Sequence, residues 1–215
     1  MAAGSDFIGD ISPCCCIFSL IAFFMSMIAI AIFIGVASKR GFKGALRSIA
    51  SETGCTFEDG GMFGTPRVSG NFRGRNIVLD SYTERTHHYT GKHHHDSSTT
   101  YTRIQVNHSG NISGEINIYP ETFFSIIGKK LGMQDIQTGN PTFDKVFIVK
   151  GSSESQVKSI IDLDVQQKLL DLKVGIQILP GRVYFRNVGL IKDKTRLLNI
   201  LNAMMALAER VEKVR

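Results

Sequence analysis

Five of the chain's six histidines fall within nine positions, at His87, His88, His93, His94 and His95, in the run THHYTGKHHHDSS at 86–98. Neutral imidazole is a borderline-soft nitrogen donor, so this cluster, with Asp96 beside it, has ligand chemistry for zinc, nickel or copper. A working metal site also needs its ligands held by second contacts. This run contains Gly91, ends in DSSTT and has no apolar anchor of its own. It reads as a long, polar, solvated hairpin loop, in which neighbouring histidines hold metal weakly.

Other reactive patterns are sparser. The sequence has no phosphate-cradling Walker loop, no G-x-G-x-x-G, no G-x-S-x-G elbow and no H-E-x-x-H. Three of the four cysteines are adjacent (Cys14, Cys15, Cys16), which cannot staple a fold, and Cys55 has the profile of a small buried apolar residue. Asp144 interrupts the apolar stretch TFDKVF, where a carboxylate most simply pins a turn at a strand start. Asp162 and Asp164 sit at a helix junction and fit N-capping. Arg67, Arg73 and Arg75 with Phe72 form a small basic-aromatic group, but no nucleic-acid module accompanies it, and nucleic acid is not an expected partner.

The element that most constrains function is N-terminal. No charged residue occurs between Ile11 and Ser38, and residues 14–37 are almost wholly apolar. At about 1.5 Å per residue such a helix reaches roughly 36 Å, enough for a ~30 Å hydrocarbon core with some tilt. Asp6 and Asp10 precede it, whereas Lys39, Arg40, Lys43 and Arg47 follow it. A cleaved signal would have a basic start and a shorter apolar run, so the stretch reads as an uncleaved anchor. The charge asymmetry puts the N-terminus outside and the rest of the chain in the cytoplasm, against which stand two N-x-S tripeptides at Asn107 and Asn111. Phe42, Leu46 and Ile49 recur at helical spacing beside the four basic residues. That pattern predicts a juxtamembrane helix, whose cations either clamp an anionic membrane surface or, more simply, end the span and set its direction.

The remaining chain alternates in the manner of strands and then of helices. RVSGNFRG and NIVLDSYTE flank a turn placed at Gly74-Arg75, and TYTRIQVNH and GEINIYP follow, predicting a four-stranded antiparallel meander over 66–119. PETFFSIIGKKLG opens with Pro and Glu in a helical first turn. NPTFDKVFIVKG reads as a strand, residues 152–172 as one or two short helices, and KVGIQILPGRVYFRNVG as a hairpin. The last helix carries Leu197, Leu201, Met204, Ala208 and Val211 on one wide apolar face, which must cover the sheet. The fold class is therefore α+β: one N-terminal transmembrane helix, then a mainly antiparallel β-sheet domain with helices packed on one face. The expected division is a tail at 1–13, a membrane helix at 14–37, a basic juxtamembrane helix and linker at 38–60, and a soluble domain at 61–215.

The stretch TGNPTFDKVFIVKGSSESQVKSIIDLDVQQKLLDL with the following GIQILPGRVYFRNVG resembles a group of uncharacterised membrane-anchored prokaryotic proteins. Those proteins share an FD..F.V strand, a leucine-spaced helix pair, and a closing hairpin and helix. The matching residues here are Phe143, Asp144, Phe147, Val149, Leu169, Leu170 and Leu172, over about the last third of the chain. The resemblance implies a shared fold and a shared membrane tether, and no catalytic residue. Together these features point to a single-pass membrane protein with a cytoplasmic, non-catalytic interaction or accessory domain. Its expected partners are the lipid bilayer and a protein in the membrane or cytoplasm. A protein or enzyme using metal at the His87–His95 run is the alternative.

Overall fold

The computed structural model describes residues 13–61, 64–90, 93–121 and 135–214, without the side chains of 13–19, 32, 35, 38, 87–90 and 93–95. In chain order the elements are α1 (Pro13–Thr53), β1 (Thr56–Glu58), β2 (Arg67–Phe72), β3 (Arg75–Thr90), β4 (His93–Asn107), β5 (Ile116–Pro120), α2 (Pro141–Asp144), β6 (Phe147–Lys150), α3 (Glu154–Ile160), α4 (Leu163–Leu172), β7 (Ile176–Leu179), β8 (Arg182–Val188) and α5 (Lys194–Lys213). The chain forms two units, Met1–Arg40 and Gly41–Arg215. The helix expected over PETFFSIIGKKLG lies outside the described residues.

In the first unit, the expected span at 14–37 is helical in its backbone. Its described side chains from Leu20 to Val36 include eleven large apolar residues, each between 45% and 73% exposed. Among the described residues no helix is long and apolar enough to cross a membrane.

The second unit is α+β. Its eight strands form one antiparallel sheet in the order β1-β2-β3-β4-β8-β7-β5-β6. Strand alternation sends Val68, Ile77, Leu79, Ile104, Val106, Val183, Phe185, Ile176, Ile178, Ile116 and Ile118 to one buried face. Against them pack Leu197, Ile200, Leu201, Met204, Leu207, Ala208 and Val211 of α5, all fully buried. Spacings of three and four put those residues on one helical stripe, and Asp193 starts the helix by accepting from the amides of Thr195 and Arg196 (2.8 and 3.2 Å).

Phe42, Leu46 and Ile49 of α1 are at most 1% exposed and belong to this same core. The segment expected as a juxtamembrane helix and linker at 38–60 is thus largely part of the folded unit, because its apolar stripe is buried in that core. The strand reading at 66–119 also needs revision. β5 is not the fourth strand of a meander: the β7–β8 hairpin lies between it and β4. All five residues of β5 are buried, and such a strand needs a neighbour on each side, which β6 and β7 supply. The β2–β3 turn is Arg73-Gly74, one residue earlier than expected, with φ of 49° and 82°. Two consecutive left-handed residues match the right-handed twist of the flanking strands.

The largest difference concerns the histidine segment. It is not a long loop: β3 and β4 continue in register to Thr90↔His93. The β2 ladder stops at Leu79 and the β8 ladder at Thr102, so the outer half of the hairpin is a two-stranded ribbon. Its polarity concealed it, because a ribbon with water on both faces has no need of hydrophobic alternation. β-Branched Thr83 and Thr100, opposite one another with hydroxyls 3.0 Å apart, supply the strand preference instead.

Candidate interaction surface

The face of the sheet opposite the helices is built by the same alternation. With Leu79, Ile104 and Phe185 inward, their neighbours Asp80 and Tyr82 on β3, Tyr101, Arg103 and Gln105 on β4, and Arg182, Tyr184 and Arg186 on β8 face outward. Register aligns them into rows: Asp80, Arg103 and Arg186 lie opposite one another across three strands, and Tyr82 lies opposite Tyr101.

The rows lock. Arg103 donates from Nε to Asp80 Oδ1 at 2.8 Å and from Nη2 to Oδ2 at 2.5 Å, a bidentate pair. That hydrogen bond, opposed by burial, raises the Arg103 pKa further above its ordinary value. The Tyr82 and Tyr101 rings stack with centroids 5.3 Å apart and planes 18° from parallel. The Arg103 guanidinium lies over Tyr82 at 5.1 Å and that of Arg186 over Tyr101 at 5.5 Å. The Tyr82 and Tyr184 hydroxyls are 3.3 Å apart. Burial, and then this contact, push the Tyr184 phenol well above its usual range, so it stays neutral at physiological pH.

Asp80 is the keystone, with only 7% of its side chain exposed against 30% for Arg103. Removing one partner of a buried pair costs about 3–5 kcal/mol; solvent at Arg103 lowers the figure for Asp80→Ala to ~1–3 kcal/mol. Denaturant midpoints should show that loss. The near-ultraviolet circular dichroism of the stacked tyrosines should weaken with it, whereas Asp164→Ala, at an exposed position of α4, should leave both unchanged.

The residues singled out from sequence are dispersed. The side chains of His87, His88, His93, His94 and His95 lie outside the described residues; their backbone pairs His88 with His95 and His87 with Asp96. Among the described residues no group of three His, Cys, Asp or Glu is arranged to hold a metal. Of the expected membrane-facing cations, Lys43 and Arg47 instead engage Asp59 at 2.5 and 3.7 Å, with Arg47 over the Phe57 ring at 5.2 Å. They pin β1 to α1, which leaves Lys39 and Arg40, both exposed, as candidates for a membrane surface. The Arg67, Arg73 and Arg75 group is also divided, since Arg75 pairs with Glu212 and Arg73 donates to Asn202 at 3.3 Å. Asp144 pins a turn, accepting from Thr138 N (2.9 Å), Thr138 Oγ1 (2.8 Å) and Gly139 N (3.2 Å). Asp162 caps α4 through Val165 N at 3.0 Å, but Asp164 does not cap; it pairs with Lys168.

A cavity of about 200 Å³ lies beside Asp135, Gln137, Ser152 and Glu154. Its acids are engaged, Asp135 with Lys150 at 3.3 Å and Glu154 with Lys158 at 2.7 Å. No histidine is among the described residues that line it. The outward Tyr-Arg patch was missed by sequence reading, although Tyr-x-Arg at 101–103 and Arg-x-Tyr-x-Arg at 182–186 are its signal.

No family model and no curated protein matches the chain. Among solved structures, the fold is similar to that of the mycobacterial trehalose monomycolate transport factor A, with a TM-score of 0.54 over 82% of this chain and 97% of the other. At 10% identity the likeness is one of fold alone.

Proposed function

We propose that the chain is a single-pass membrane protein, N-terminus outside, whose cytoplasmic unit is a non-catalytic accessory domain that binds another protein. The observation that carries this reading is the band of exposed apolar side chains from Leu20 to Val36, ending at Lys39 and Arg40. So large an apolar surface is stable only when lipid or protein covers it. With Cys14–Ser19 the sequence supplies the full length of a span, and the cations on its C-terminal side alone set the direction. The resemblance to membrane-anchored prokaryotic proteins agrees with a tether. The chain should sediment with membranes through alkaline carbonate washing, and removing residues 14–37 should release it. Protease added to intact cells should leave 41–215 whole. A washable full-length chain, or glycans on Asn107 or Asn111, would overturn the reading.

The second reading is metal binding at the histidine ribbon. The favouring observation is the register, which sets His88 directly opposite His95, with His93 two positions along the same strand. Strand neighbours at these spacings bring donor residues together without any loop. If metal is linked to folding, a chelator should lower the melting temperature of the wild type and leave His88→Ala/His95→Ala unaffected. Equal melting with and without chelator removes this reading.

A further inference from the structure

The face of β3, β4 and β8 opposite α5 is ordered to a degree that solvation alone does not require. An antiparallel sheet face in water is usually covered by independent polar side chains. Here Tyr82, Tyr101, Tyr184, Arg103 and Arg186 are tied into one assembly by a ring stack, two guanidinium-over-ring contacts and a bidentate ion pair. Tyrosine and arginine are types that anchor protein interfaces, tyrosine because large contact area comes with few rotatable bonds, arginine through its planar fork of donors. Stacking has already fixed those bonds, so a partner would face little further loss of side-chain entropy.

Charge selects the partner. Arg103 is held in a bidentate pair by the buried Asp80, whereas Arg186 reaches its acid, Glu84, only at 3.4 Å, with both side chains nearly half exposed. A guanidinium carries five N–H donors; Arg186 shares some with Glu84 and with the Tyr82 hydroxyl, and the rest can meet an incoming acceptor. Exposed Arg182 stands four positions away on the same strand face, with Tyr184 between them. The stripe Arg182-Tyr184-Arg186 therefore presents two guanidiniums flanking a neutral phenol. It sits on a unit of net positive charge: of the chain's 25 Lys and Arg all but two lie in 41–215, against 17 acids. We propose that this face is the docking surface for an acidic protein segment, whose carboxylates bridge Arg182 and Arg186 while the tyrosine hydroxyls meet its polar backbone. The proposal rests on the interaction-domain reading above and names the surface and the chemistry of the partner.

The test uses the full chain in nanodiscs of neutral lipid and a fluorescent synthetic peptide of alternating Glu and Ser, with a Lys-Ser peptide as the control. Binding of the Glu-Ser peptide should fall at least about tenfold in Arg186→Glu and in Arg182→Glu, equivalent to ~1.4 kcal/mol. Charge reversal on the helical side, Lys158→Glu or Lys168→Glu, should change it less than about twofold, since exposed charges a Debye length away are screened. Arg186→Lys, which keeps charge but loses the fork, should fall between. Thermal unfolding of each variant checks that a loss is not misfolding, and Arg182→Glu, at an exposed strand end, keeps the test alive if Arg186→Glu unfolds. Equal losses in all four reversals, or no binding by the wild type, would overturn the proposal. So would phosphatidylserine vesicles competing through the same arginines where the peptide does not, because the face would then meet a membrane. All variants should remain membrane-anchored, so a failure here is distinct from a failure of the tether.

Discussion

Replacing Leu201 by alanine should destabilise the second unit by about 2–5 kcal/mol, and replacing the adjacent Asn202 should cost well under 1 kcal/mol. Leu201 is fully buried within the α5–sheet contact. Truncation there loses the transfer free energy of the removed carbons and leaves a cavity lined by β-strand side chains that cannot follow, because sheet positions are fixed by their ladders. Asn202 is one position round the helix, half-buried, and its amide oxygen receives a single bond of 3.3 Å from exposed Arg73. A solvent-facing bond of that length is replaced by water at little loss. Denaturant unfolding of the two variants should therefore give midpoints far apart with similar slopes. Since a typical domain has only about 5–15 kcal/mol of net stability, Leu201→Ala should show in reduced abundance in cells as well. Equal small effects from both would mean that α5 does not close the core.

The α5 stripe could be read in advance because its signal is dense: helical spacing, an Asp cap and twenty residues without Gly or Pro. The two short helices α3 and α4 were legible for the same reason, with Ser153 and Asp162 starting them. Strand order was not legible. Hydrophobic alternation in GEINIYP says that the residues pair, but not that β7 and β8, some sixty residues later, would supply one of the neighbours. The Phe42, Leu46, Ile49 stripe was visible, yet the same pattern serves a membrane surface or a core, and only the sheet's need for cover decides between them. The ion pairs of Lys43 and Arg47 with Asp59 were hidden because a cation's partner is fixed by tertiary placement, here the return of β1 beside α1. The Tyr-Arg patch escaped for a related reason. Three short motifs on three strands become one surface only once register places Arg103 between Asp80 and Arg186.

Gly110→Ala should destabilise the same unit by ~1–3 kcal/mol through a different mechanism, overpacking against backbone. A Cβ at Gly110 would stand 2.4 Å from the carbonyl oxygen of Val211 and 2.8 Å from the amide nitrogen of Glu212. Neither atom can rotate away: both belong to the last turn of α5, whose residue Val211 is fully buried. The turn must move or the 108–115 connection must retreat. The contacts at stake meet at Glu212, which pairs with Arg75 and accepts the amide of Ser109 at 3.2 Å. Burial works to raise the Glu212 carboxyl pKa, but those bonds outweigh it and hold the pKa below its usual value. A depressed carboxyl pKa stabilises above the unfolded value and is lost as pH falls through the folded one, so the wild type should lose this contribution on acidification below the ordinary glutamate range. In Gly110→Ala the contribution should already be missing, and the acid-induced part of the stability loss should shrink. Glu212→Gln should flatten the same part of the pH profile without the overpacking penalty, which separates the two effects. If Gly110→Ala unfolds at the wild-type midpoint, the loop yields without strain and the close approach does not fix the end of α5.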